Sequence, residues 1–432
     1  MTDVPAGLPR LAAGDFDDFL FEAHGHRPFA WQRELLARVL EERRWPSLID
    51  LPTGAGKTSV IDIGLFALAL DASSLPDERW APRRIALVVD RRIVVDQVAA
   101  HVTDILDGEG DVLDATRSHL RWLSGSSPNE PAFVHGLLRG AMVRDERWAE
   151  RPDVPAVLAS TVDQIGSRLL FRGYGLSNLA APIHAGLLGS DLLLFLDEVH
   201  LSRPFSETLA RFRELTGADA PERRWQLVEL TATPNAVVER RFPAEPLTAD
   251  TTSEPLRSRL VASKPAQLVT AKVPQSKDWT KSDVAFAKAV VKEARAALDQ
   301  ARVQLLGVVL NRVDTARSVA HELAESGLDV TLLTGRMRPA DRDSEEIASQ
   351  LAAWSGERDR SSGAKQVLVS TQCIEAGADL DLDCLVTELA SIDALRQRFG
   401  RVDRRGHVAA EGPPPRSVVV VRGEHPDESD PI

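Results

Sequence analysis

The chain is poor in cysteine, lysine and long apolar runs, and each shortage excludes something. Two cysteines in 432 residues, Cys373 and Cys384, are too few for a disulfide scaffold or a four-thiolate zinc site and fit a reducing compartment. The longest apolar runs, such as IGLFALAL at 63–70, fall short of the roughly twenty residues that cross a bilayer. Asp15, Asp17, Asp18 and Glu22 stand where an export signal needs basic and then apolar residues, so a cytoplasmic protein without a membrane partner is expected. The net charge of 52 − 64 = −12 repels phosphate backbones as a whole, and any nucleic-acid contact needs a local basic track.

Of the 52 basic residues only eight are lysines, leaving 44 arginines. Lys57 is the first lysine and the only one before Lys264. Lysine is a compact point charge and arginine a rigid fork, so a lone lysine just after a glycine-rich turn marks a place where compactness matters.

What is present describes a globular α/β protein of two domains: 43% hydrophobic and 27% charged residues over a length too great for one core. Apolar strand-like runs recur at 47–51, 84–90, 155–160, 191–197 and 225–230, with helical patterns between several of them. Such alternation predicts a parallel sheet covered on both faces. The pattern dissolves from 236 to 264 and a second series starts, with a helix around 281–301 and strands at 304–311, 329–335, 366–371 and 383–389. The expected organisation is a first domain over 1–245, an inter-domain segment over 246–264 and a second domain over 265–432. The less periodic stretch 107–154 is expected to be an insertion.

LPTGAGKT at 51–58 follows a strand and opens a helix, the context in which backbone N–H groups cradle phosphates. Thr53, Gly54, Ala55 and Gly56 form the cradle, Lys57 would neutralise β- and γ-phosphates, and Thr58 would hold Mg2+. The generic pattern wants glycine at position 51, where this chain has Leu51. LLLFLDEVH supplies Asp197 to bind the metal through water and Glu198 to align or deprotonate the attacking water. In RQRFGRVDRRG at 396–406, a helical reading places Arg398 near Arg401, with Arg404 one turn on, as donors for a departing phosphate.

These motifs together resemble a superfamily 2 helicase, in which two RecA-like domains clamp ATP. Gln32 in RPFAWQRELL resembles the adenine-reading glutamine. TATP at 231–234, with Thr231 and Thr233, resembles the coupling motif, and QRFGRVDR resembles the arginine-finger motif. The resemblance implies Arg401 and Arg404 as fingers, Gln397 as a γ-phosphate contact, and Gly377 and Asp379 as further nucleotide contacts. STVDQ (160–164), DEVH (197–200), NRVDTA (311–316), STQCIEAGADLDLD (370–383) and IDALRQRFGRVDRRG (392–406) resemble one family, the helicase core of the CRISPR-associated helicase-nuclease of type I interference. That resemblance implies an ATP- and magnesium-dependent motor on single-stranded DNA, recruited by a crRNA-guided complex.

The family's nuclease needs an adjacent His-Asp pair, and none of the ten histidines here is followed by aspartate. His24 and His26 form a His-x-His pair for which the sequence offers no companion carboxylate cluster. The nuclease is therefore expected on a domain or subunit outside this chain. A motor grips a strand through phosphate-directed groups, and such groups follow strands in both series: Arg91 and Arg92, Thr161 and Gln164, Asn311 and Arg312, Thr334 and Arg336, Thr371 and Gln372. Competing readings are another superfamily 2 motor acting in repair, in restriction or on RNA, a catalytically silent nucleic-acid-binding module, and a metabolic P-loop kinase.

Overall fold

The computed structural model describes residues 7–52, 54–89, 92–140, 146–199, 202–217, 224–231, 240–248, 252, 254–273, 279–335, 345–354, 363–375 and 380–423. The chain divides into two compact units, Met1–Leu247 and Thr248–Ile432. Among the described residues no helix is long and apolar enough to cross a membrane.

The first unit is built on β1 (Leu48–Asp50), β2 (Arg84–Val89), β3 (Val134–Leu138), β4 (Ala156–Thr161), β5 (Leu192–Leu196), β6 (Trp225–Thr231) and β7 (Arg241–Phe242). They pair in the order β3-β4-β2-β5-β6-β1-β7, every pair parallel. Strands β2, β4 and β5 are buried at every position. Continuous burial is what helices on both faces of a parallel sheet require, and it explains the near-unbroken apolar runs.

The described residues of the stretch 107–154, expected to be an insertion, are packed into the first unit. The stretch holds the helix Asp111–Ser124, edge strand β3 and the short helix Arg147–Glu150, and Trp148 is fully buried in the same core as Leu138 and Leu158. Its weak periodicity has a local cause. Strand β3 is half-covered, and it carries Gly136 because a Cβ there would lie 2.9 Å from both Leu158 and Trp148.

The second unit is built on β8 (Ala266–Ala271), β9 (Leu305–Val309), β10 (Asp329–Leu333), β11 (Gln366–Ser370), β12 (Cys384–Glu388) and β13 (Ser417–Arg422), in the order β10-β11-β9-β12-β13-β8. All its pairs are parallel too. The long helix Trp279–Leu298 and the helix Val313–Glu325 bury Phe286, Val290, Ala294 and Val319 against the sheet. Strands β8 and β13 escaped the sequence pattern. β8 is an exposed edge with Leu268 67% accessible, and its partner lies about 150 residues on, in register from Ala266↔Ser417 to Ala271↔Arg422. The helix Leu256–Val261, inside the stretch expected to be a crossing segment, buries Leu256 and lies within the second compact unit.

In a parallel sheet functional loops gather beyond the carboxyl ends of the strands. In the first unit these ends lead into Leu51 after β1, Val162 after β4 and Asp197 after β5. In the second they lead into Leu310 after β9, Thr334 after β10, Thr371 after β11 and Leu389 after β12.

Candidate functional site

The phosphate loop is held open by two glycines. Gly54 (φ 84°) and Gly56 (φ 78°) sit in the left-handed region, where an L side chain costs roughly 1–2 kcal/mol. Leu51 departs from the glycine of the generic pattern because it is core: it is fully buried, and its N–H donates to Thr231 O at 3.0 Å. That bond and the register Asp50↔Thr231 fix the start of the loop to the end of β6.

The helix Ala30–Glu42 braces the loop from behind. Trp31 Nε1 donates to Ala55 O at 3.0 Å, and Gln32 Nε2 donates to Ser59 Oγ at 2.6 Å. Gln32 Oε1 accepts from Phe29 N at 2.6 Å, and Ser59 Oγ donates to Gly56 O at 2.7 Å. Gln32 is only 1% exposed. The amide expected to read a base is engaged here at both ends, Nε2 on the loop and Oε1 on the helix cap. Trp31 and Ser59 are working parts the sequence reading missed. Their adjacency to Gln32 and Thr58 was the available signal.

Lys57 opens the 3-10 turn Lys57–Ser59, which runs into the helix Val60–Asp71. Its Nζ is buried without a hydrogen-bond partner among the described residues, and Glu198 Oε1 lies 3.7 Å away. A buried ammonium lacking hydrogen-bond acceptors is costly, and phosphate oxygens would supply them. Glu198 is itself held at φ 47°, a strained conformation for a residue other than glycine. Asp197 anchors that turn, its N–H donating to Val88 O at 2.9 Å and its Oδ1 accepting from Glu198 N at 3.0 Å. The fold thus brings Lys57, Asp197 and Glu198 to one end of one sheet. Thr58 is half-buried, and Thr231 is buried at the strand end beside them. A cradle with an acceptor-less ammonium beside a pair of carboxylates fits a nucleotide triphosphate with its divalent ion.

The arginine segment in the second unit differs from the helical expectation. The helix Ile392–Phe399 ends at Gly400, so Arg401 and Arg404 lie in the turn beyond it and share no helical face. Arg398 is the most deeply buried of the three. Its guanidinium donates from Nε to Glu375 Oε1 at 2.8 Å, from Nη1 to Thr387 Oγ1 at 2.7 Å and Glu388 O at 2.9 Å, and from Nη2 to Asn311 Oδ1 at 2.8 Å. Arg401 is 5% exposed and donates from Nη2 to Glu375 O at 2.8 Å. Arg404 and Gln397 are half-buried.

This turn rests on the stretch expected to be a mere crossing. Lys264 Nζ donates to Phe399 O at 3.0 Å, and burial pushes its ammonium below the usual lysine range, with Asp403 opposing. A Cβ at Gly406 (φ 76°) would lie 2.6 Å from Ser258 O. Asp403 caps the helix His407–Ala410 through Val408 N and Ala409 N, both at 2.9 Å.

The nucleic-acid candidates divide. Asn311 is corrected to a structural residue: its side chain donates to Leu389 O at 2.9 Å and accepts from Arg398, and its N–H donates to Glu388 Oε2 at 2.9 Å. Thr161, Thr334 and Thr371 are 8%, 3% and 4% exposed, so their side chains fill the sheet rim and are not presented to solvent. Gln164 is half-buried and accepts from Arg168 Nη1 at 2.6 Å, and Gln372 donates to Asn311 O at 3.2 Å. Arg312 is exposed and lies 3.4 Å from Asp283. Thr53, Arg91, Thr233, Arg336, Gly377 and Asp379, and the side chain of Arg92, lie outside the described residues.

The histidine pair acquires the companions the sequence did not show. His24 Nε2 lies 2.9 Å from Asp62 Oδ1, and His101 Nε2 lies 2.8 Å from Asp62 Oδ2.

Comparison with known proteins follows this division of the chain. Residues 25–236 match the family model of the type III restriction enzyme res subunit, and residues 302–407 match that of the CRISPR-associated nuclease/helicase Cas3, C-terminal. A curated relative, the CRISPR-associated nuclease/helicase Cas3 of Methanothermobacter thermautotrophicus, is 30% identical over 122 residues, 28% of this chain and 14% of that protein. The crystal structure of T. fusca Cas3 with AMPPNP superimposes with a TM-score of 0.59 at 18% identity, covering 97% of this chain and 48% of that one. A chain of a CRISPR RNA-guided surveillance complex in its pre-nicking state gives 0.55 at 19% identity, covering 92% and 45%. The two parallel sheets are tandem RecA-like domains, and the chain spans about half the length of the solved relatives it superimposes on.

Proposed function

We propose that this chain, which carries a superfamily 2 helicase core of the Cas3-like kind, hydrolyses ATP to move along single-stranded DNA. Its place would be type I CRISPR interference, on target DNA opened by a crRNA-guided complex. A separate domain or subunit would supply the nuclease, because no His-Asp dipeptide occurs in this sequence.

One observation carries the reading: Lys57 Nζ is buried without a hydrogen-bond acceptor among the described residues, behind two left-handed glycines and with Glu198 3.7 Å away. A phosphate entering the cradle competes with Glu198 for the ammonium. Once displaced, the Glu198 carboxylate is available to orient a water and accept its proton. Thr58 and Asp197 would hold Mg2+, which neutralises phosphate charge when bound. Arg404 and Arg401 are the guanidinium groups assigned to the charge that develops as the γ-phosphate leaves. Strand grip would fall to backbone groups of the loops beyond the strand ends, with exposed Arg312 contributing a cation.

ATP turnover measured with single-stranded DNA, duplex DNA and RNA tests this. Single-stranded DNA is expected to stimulate the wild type most. Lys57→Ala is expected to lose turnover, and Glu198→Gln to keep nucleotide binding while turnover falls roughly 10²–10⁴-fold. Undiminished turnover in the Lys57 variant rejects the assignment, and stimulation by RNA alone transfers the motor to another substrate.

A further inference from the structure

Behind the phosphate loop, three helices meet on one buried carboxylate. Asp62, on the helix Val60–Asp71, is 0% exposed, and its two oxygens face His24 Nε2 from the helix Phe16–His24 and His101 Nε2 from the helix Arg92–Asp107. Among the described residues no lysine or arginine forms an ion pair with it. A buried carboxylate is balanced by a protonated partner or by a metal ion, and the two imidazoles beside Asp62 can act as donors to it or as ligands with it.

From this arrangement we infer a binding site for a zinc-class divalent ion formed by His24, Asp62 and His101. One ligand atom from each lies within 4.8 Å of the other two. Two imidazole nitrogens and one carboxylate oxygen suit Zn2+ and its first-row neighbours, whereas Mg2+ and Ca2+ select oxygen ligands. Asp104 Oδ2 lies 3.5 Å from His24 Nδ1, near enough to become the outer carboxylate that metal-bound imidazoles commonly use. Gly25, at φ 73°, turns the chain so that His26 comes back beside His24 at 5.9 Å between ring centroids.

The His24 and His101 rings lie face to face, 4.1 Å between centroids and 13° between planes. Each nitrogen is aimed at its own carboxylate oxygen, so loading requires the rings to turn about χ2 until both lone pairs converge. A bound ion would staple the helix that carries the phosphate loop to its two neighbours.

The test is a zinc titration of the full chain without nucleotide, against a chromophoric chelator. One ion per chain at micromolar affinity or tighter is expected. His24→Ala and His101→Ala should each weaken binding roughly 100-fold or more, while His321→Ala, whose imidazole is 75% exposed, should leave it unchanged. No bound ion at micromolar zinc, or equal affinity in the His24 and His101 variants, overturns the site. Zinc-edge X-ray absorption of the wild type decides the matter should either variant fail to fold: at least two imidazole ligands are expected, and an all-oxygen shell refutes the assignment.

Discussion

Replacing Arg398 with methionine isolates the interaction on which the arginine turn depends. Methionine matches much of the side chain's length, so the cost comes from the groups left behind. The Glu375 carboxylate is 7% exposed and the Arg398 side chain 0%, with Nη2 to Oε1 at 2.7 Å. Breaking one partner of such a pair costs about 3–5 kcal/mol, because the remaining charge is stranded. Asn311 Oδ1 and Glu388 O each lose a charged donor as well. These losses overlap, and their separate values do not simply add. Removing both charges in Arg398→Met/Glu375→Met should recover at least about 1–2 kcal/mol relative to the single variant, since replacing a whole buried pair is often near neutral.

The chain has two compact units, so a single unfolding curve is not a well-defined quantity. Hydrogen exchange of the β9 and β12 amides reports the second unit directly. A loss of less than about 1 kcal/mol in Arg398→Met, or a double variant that costs the sum of the two singles, would refute the argument that a satisfied buried pair holds this turn.

Two further outcomes follow from the first unit. Gln32→Ala removes the side-chain acceptor of Phe29 N and the donor to Ser59 Oγ and should cost about 1–3 kcal/mol. If Gln32 is a brace, KM for ATP and for GTP should rise together with their ratio unchanged, and a ratio shifted tenfold restores the base-reading role. Burial pushes the His184 imidazole below its ordinary value of 6.5, with Arg168 adding to the shift, and the ring sits edge-on to Trp148 at 4.8 Å. The folded state then binds fewer protons than the unfolded chain between the lowered value and 6.5, so stability falls as pH drops through that window. Urea titrations followed by exchange of the β4 amides should show this slope in the wild type and a flatter one in His184→Phe. Equal slopes would reject it.

Much of the candidate site was legible in the sequence because its signals are local. A glycine needed at positive φ, a lysine placed after it and a carboxylate pair ending an apolar strand each depend on a few consecutive residues. The same holds for β2, β4 and β5, whose apolar runs follow from burial on both faces. Strand β8 was illegible for the opposite reason: its hydrogen bonds come from β13, and its own residues are mostly exposed.

Tertiary structure alone decided which polar side chains are free to act. Asn311 and Arg398 are 87 residues apart, Gln32 and Ser59 are 27 apart, and His24 and His101 each meet Asp62 across more than 35. No spacing rule encodes such pairs, since a polar side chain goes to whichever partner the packed helices and sheet bring within about 3 Å, and burial makes that bond obligatory.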